Sequence, residues 1–115
     1  MAFNDLERKK IENALAAFLE RSRPPAHIRA TLDYTARIAD QSVELFEVRP
    51  QWDAPSMQQE RPFAKATFIR SRNAWKIYWQ RADLKWHGYE PHPVAATVEE
   101  FLAVVSADEH CCFYG

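Results

Sequence analysis

At Pro24–Pro25 the period of the apolar residues changes, and the change divides the chain into stretches of different geometry. Before the two prolines, Leu6, Ile11, Ala14, Leu15, Phe18 and Leu19 recur at helical spacing, while Glu7, Arg8, Lys9, Glu12 and Glu20 fall on the opposite side. Asn4 suits an N-cap, with Glu7 three residues on as its capping-box partner. A proline offers no N–H and restricts the residue before it, so a helix predicted over residues 4–23 stops at this point.

Beyond the prolines the period becomes two. Leu32, Tyr34, Ala36 and Ile38 alternate with Asp33, Thr35, Arg37 and Ala39, which predicts a half-buried strand over residues 31–39. Asp40-Gln41-Ser42 turns the chain into a second strand over 42–49. There the alternation slips, with Val43 and Leu45 on one parity and Phe46 and Val48 on the other, as a bulge or a strand covered on both faces would require. Residues 50–62, PQWDAPSMQQERP, hold three prolines and little pattern, and read as a long loop. Further strands are predicted over 63–71, 74–81 and 84–90. A short helix over 98–107 follows, capped by Thr97 with Glu100, and its apolar stripe is Phe101, Leu102 and Val105. This order predicts an α+β fold: an antiparallel sheet of four to five strands with the N- and C-terminal helices packed on one face.

A chain of 115 residues, 47% apolar and 27% charged, fits a single soluble domain with a real core. The formal net charge of −1 creates no global field, so electrostatic recognition rests on local distribution. That distribution is uneven. Residues 61–89 carry seven Lys or Arg against Asp83 alone, whereas 90–115 carry five acids and no Lys or Arg. No apolar run approaches the roughly 20 residues of a membrane helix, so no membrane partner is expected. The stretch MAFNDLERKK has its charges within an amphipathic pattern and is not expected to be a signal peptide. Adjacent Cys111 and Cys112 are not expected to staple a fold, and the expected compartment is the cytoplasm.

The runs SVELFEVRPQW, RPFAKATFIRSRNAWKIYWQRADLKWHGYEP and VEEFLAVVSADEHCCFYG, together with the opening MAFNDLERKKIENALAAFLERSRPPAHIRATLD, resemble the bacterial family called domain of unknown function 3024. The resemblance spans essentially the whole chain, and WKIYWQRADLKWHGYEP is its most specific block. It implies a stand-alone bacterial domain and carries no activity, cofactor or catalytic residue to any position.

Within that block Trp75, Ile77 and Trp79 share one strand face and Lys76, Tyr78 and Gln80 the other. After the break near Ala82-Asp83, Leu84 and Trp86 are expected to join the core, with Lys85, His87 and Tyr89 opposite. An open platform of Arg49, Lys65, Thr67, Lys76, Tyr78, Lys85, His87 and Tyr89 then follows. Lysines can neutralise phosphates and exposed rings can stack on bases, which suits nucleic acid. Trp, Tyr and Arg anchors suit a protein partner equally. The bland alternative is an ordinary wet sheet face.

Two other functional classes compete with this non-enzymatic binding module. Asp33, Glu44 and Glu47, with Arg49 close behind, distantly resemble the strand-borne carboxylates of metal-dependent nucleases, which hold Mg²⁺. An arginine in the lysine's place cannot release a proton, which weighs against that reading. Alternatively, Trp52, Phe113 and Tyr114 are buried against another chain of an oligomer. His87, His92, His110, Cys111 and Cys112 match no standard zinc spacing, so neither a metal nor a cofactor is expected.

Overall fold

The capping box at Asn4 forms in full: its side chain accepts the Glu7 N–H at 2.8 Å, and the Glu7 carboxylate accepts the Asn4 N–H at 3.0 Å. From it helix α1 runs Asp5–Ser22 in the structure, a computed structural model that describes residues 3–114. The strands are β1 (Asp33–Ala39), β2 (Ser42–Gln51), β3 (Ala54–Ile69), β4 (Ala74–Gln80), β5 (Trp86–Gly88) and β6 (Val94–Ala95), followed by helix α2 (Val98–Ala107). All pairings are antiparallel in the order β1-β2-β3-β4-β5, and β6 joins the same edge of β4 as β5. This is the expected α+β meander with both helices on one face, extended by the two-residue β6.

One core cluster lies between the helices and the sheet. Ile11, Leu15 and Phe18 enter from α1, and Val98, Phe101, Leu102 and Val105 from α2. Val43, Leu45, Ala64, Ala66, Trp75 and Ile77 meet them from the sheet. Burying each large side chain stabilises the fold by roughly 1.5–3 kcal/mol. Ala64 and Ala66, both fully buried at mid-sheet, keep that surface low where the helices approach.

β2 alternates in unbroken register with β1, so its apolar residues of both parities mark a strand buried on both faces, with Val43 and Leu45 in the core and Phe46 on the other side. The bulge of this ribbon lies in β3. Leu45 pairs with Ala64 but Phe46 pairs with Pro62, so Phe63 is the extra residue of a bulge. Phe63 and Ala64 consequently both face the core. Phe46 lies on the opposite face, buried beneath the Arg37 guanidinium at 4.6 Å.

Residues 50–62 are not a loop. β3 begins at Ala54, nine residues before the predicted start at 63, and pairs back along β2 to form a two-stranded arm with Trp52 and Asp53 at its tip. Prolines normally exclude a strand, but only where their missing N–H belongs to the ladder. Pro62 faces Phe46 and Pro50 faces Gln58, in pairs that exchange no hydrogen bonds, so both nitrogens point off the ribbon. The strand predicted over 84–90 is also shorter, Trp86–Gly88. The Tyr89 N–H still donates to the Ile77 carbonyl at 2.9 Å, the chain then loops out over 90–92, and the Pro93 carbonyl accepts the Ile77 N–H at 3.0 Å before β6.

Two local features carry tests. The Arg23 side chain grips Asp33 through two bonds of 2.7 and 2.6 Å, tying the end of α1 to the start of β1. That guanidinium, helped by the Tyr34 N–H, holds the Asp33 carboxyl below its usual range. A depressed carboxylate stabilises the fold above its unfolded pKa, near 4, and the contribution disappears as pH falls through the lower folded value. Asp33→Asn is therefore expected to flatten the loss of stability below about pH 4, measured by urea melts across pH. Leu84, 62% exposed in the β4–β5 turn, adopts the left-handed region at φ 62°. Leu84→Gly is expected to stabilise by about 0.5–1 kcal/mol, since relief of the Cβ clash exceeds the entropy cost of glycine.

Candidate binding face of the sheet

Strand alternation turns a second set of side chains away from the helices. Glu44 pairs with Lys65, which pairs with Tyr78, and Ser42 pairs with Thr67, which pairs with Lys76. Gln80 pairs with Trp86 at the outer end. No helix covers this face among the described residues. The Lys65 ammonium sits between two rings, 5.0 Å from the centroid of Tyr78 and 4.9 Å from that of Trp86. Lys76 stands 5.2 Å from the same Tyr78 ring. Beside them the Ser42 and Thr67 hydroxyls share a hydrogen bond of 2.8 Å.

Four arginines in or beside the sheet are engaged differently from the lysines of this face. Arg23, Arg37, Arg49 and Arg70 are paired with Asp33, Glu60, Glu47 and Glu7 respectively. Lys65 and Lys76 form no ion pair among the described residues and rest against rings instead. A cation–π contact at a wet surface contributes about 0.5–1 kcal/mol. It positions the ammonium without cancelling its charge. The face thus presents fixed positive charges interleaved with half-buried aromatic rings.

Several residues expected on this face are elsewhere. Tyr89 is 2% exposed and lies in the core, its ring 4.8 Å from Phe113. Burial pushes its phenol pKa upward. His87 pairs with Trp79, on the helix side, and bonds Asp83 at 2.9 Å. Lys85 lies in the β4–β5 turn, where its N–H is held by Asp83. Arg49 is on the arm, on the same side as its partner Glu47 and away from Lys65. Trp86, assigned to the core by its apolarity, belongs to the platform. It satisfies that apolarity by covering Lys65 at the sheet edge. The five residues between Gln80 and Trp86 set this phase, and turn length was the one signal able to reveal it.

The carboxylates of the nuclease reading do not converge. Asp33 pairs with Val48 and Glu47 with Tyr34, so alternation sends the two acids to opposite faces. Each is also bound by an arginine. His92, Glu100, Glu109 and His110 line a cleft of about 350 Å³ between α2 and the loop after β5, where His92 and Glu100 bond at 2.7 Å. That bond holds the Glu100 carboxyl below its usual range. Among the described residues no group of three His, Cys, Asp or Glu is placed to hold a metal ion. No described helix is long and apolar enough to cross a membrane. Of the three aromatics assigned to a partner interface, Trp52 is 93% exposed. Phe113 is core, and Tyr114 packs on Tyr34 and Phe63.

The family model described as Domain of unknown function (DUF3024) matches residues 3–115, and the chain belongs to that family. No curated protein and no solved structure matches it.

Proposed function

We propose that this member of the family is a non-enzymatic binding module whose helix-free sheet face holds single-stranded nucleic acid. The observation that carries the proposal is the pair of lysines, Lys65 and Lys76, held against Tyr78 and Trp86 rather than against carboxylates. Phosphates meet the ammonium groups, and bases displace a lysine to stack on a ring, at about 1–3 kcal/mol for each stacked base. Ser42, Thr67 and Gln80 supply neutral hydrogen-bonding groups between the charges. The free thiols of Cys111 and Cys112 suit a reducing compartment, which the proposal takes to be the cytoplasm.

Fluorescence polarisation with labelled single-stranded DNA and RNA tests this. Binding is expected at about 50 mM salt, with log K falling by about 0.7 per decade of salt for each phosphate engaged. Absence of binding to either strand type at that salt overturns the proposal. A second reading has its own observation: Trp52, 93% exposed at the arm tip, and Met57, 58% exposed on the same arm, suit a protein partner that grips the arm. Under that reading Trp52→Ala abolishes the partner complex, and under the first it leaves oligonucleotide affinity unchanged.

A further inference from the structure

Among the described residues, the sheet edges at β4 and along the arm are guarded. The edge of β4 beyond β5 and β6 is interrupted by the loop carrying Pro91 and Pro93. The free edge of the arm is bracketed by Pro55 and Pro62 and carries Glu60. β1 has no such device: from Asp33 to Ala39 it holds no proline and pairs with β2 in unbroken register. Its one basic residue, Arg37, turns across the outer face onto Phe46 and Glu60.

The phase of the ladder shows what this edge offers. The Phe68 N–H donates to the Gln41 carbonyl, which sets odd residues of β2 toward β3 and even residues toward β1. Thr35, Arg37 and Ala39 consequently aim their backbone groups at β2, while Tyr34, Ala36 and Ile38 aim theirs outward. The Tyr34 N–H is taken by the Asp33 carboxylate at 2.8 Å. The N–H and C=O groups of Ala36 and Ile38, and the Tyr34 carbonyl, remain directed off the edge. Beside them a groove of about 470 Å³ runs between α1 and β1, with Leu15, Ala16, Leu19, Ala36 and Ile38 as its apolar lining. At its rim Arg8 and Glu12 already neutralise each other at 3.6 Å.

We infer that this edge pairs with the β1 edge of a second copy of the chain, antiparallel about a two-fold axis at Ala36. Self-complementarity selects the occupant. In that register Asp33 faces Ala39, Thr35 faces Arg37 and Tyr34 faces Ile38, so no like charges oppose one another. Tyr34 with Ile38 is an aromatic–β-branched pair, and it falls on the groove side, against Leu15 and Leu19 of α1. Ala36 bonds its counterpart in both directions, and each Ile38 N–H reaches the opposite Tyr34 carbonyl. The Tyr34–Asp33 bond is left intact.

Sedimentation velocity over a wide concentration range, on the full chain, tests the inference. The mass is expected to rise toward twice the monomer value with concentration. Ala36→Pro is expected to remain monomeric throughout with an unchanged circular dichroism spectrum, because the Ala36 N–H serves no bond within the chain. In Ala36→Cys, oxidised glutathione is expected to give a Cys–Cys link between two copies at position 36, identified by peptide mass mapping. Residues so paired lie about 5.5 Å apart at Cα, within the span a disulfide bridges. A wild-type monomer at every concentration overturns the inference, as does a dimer that survives in folded Ala36→Pro. Should Ala36→Pro fail to fold, absence of the 36–36 link overturns it.

Discussion

Tyr89→Ala is expected to destabilise the protein by roughly 3–5 kcal/mol, whereas Tyr78→Ala costs less than about 1.5 kcal/mol. The two tyrosines sit eleven residues apart in one aromatic-basic block, and in sequence they look alike. Tyr89 is 2% exposed, with its ring against Phe113 and its edge toward His110, so truncation leaves a cavity between the sheet and the C-terminal tail. Tyr78 loses chiefly its contacts with Lys65 and Lys76. Loss of 3–5 kcal/mol is a large share of the roughly 5–15 kcal/mol that holds an ordinary domain together. Urea unfolding midpoints at constant slope measure both variants. The opposite ranking would place Tyr89 on the surface and reverse the phase of β5.

The second large effect is on binding. Replacing Lys65 and Lys76 together with alanine is expected to reduce oligonucleotide affinity about ten- to a hundredfold at low salt. It also makes the salt slope shallower by about 1.4, the share of two phosphates on a single strand. The charge-matched control is the double alanine variant at Arg49 and Arg61. Arg49 stands on the arm beside Glu47, and Arg61 pairs with Glu47 in the ladder, both on the helix side. This control removes the same formal charge and is expected to leave the slope unchanged. Equal losses in the two double variants would mean that overall charge, rather than the helix-free face, controls affinity.

Much of the fold is legible in the sequence itself. Helical period, the Asn4–Glu7 box and the Pro24–Pro25 stop define α1, because these are local signals whose energies act within a few residues. The separation of Trp75 and Ile77 from Lys76 and Tyr78 was equally readable, since strand alternation has no free parameter once a strand exists. The arm was not legible. Pro50, Pro55 and Pro62 read as loop punctuation, and the compatibility of Pro50 and Pro62 with a ribbon depends on which ladder positions they occupy. The bulge at Phe63 was not legible for the same reason: a two-against-one count belongs to a pair of strands, not to either one. The two-sided burial of β2, by contrast, was already one of the readings of its apolar pattern.

Local sequence determined the kinds of element, their order and the polar or apolar character of each strand face. Only the tertiary structure decided the phase of β5, which took Tyr89 and His87 off the platform and put Trp86 beside Lys65. The physical reason is that a side chain's face depends on the pairing across a turn. Shifting that pairing by one residue exchanges the faces without changing a single local propensity. The unguarded edge of β1 is of the same kind. Its composition is in the sequence, but its position at the end of the sheet, beside an apolar groove of α1, exists only once the strands are ordered.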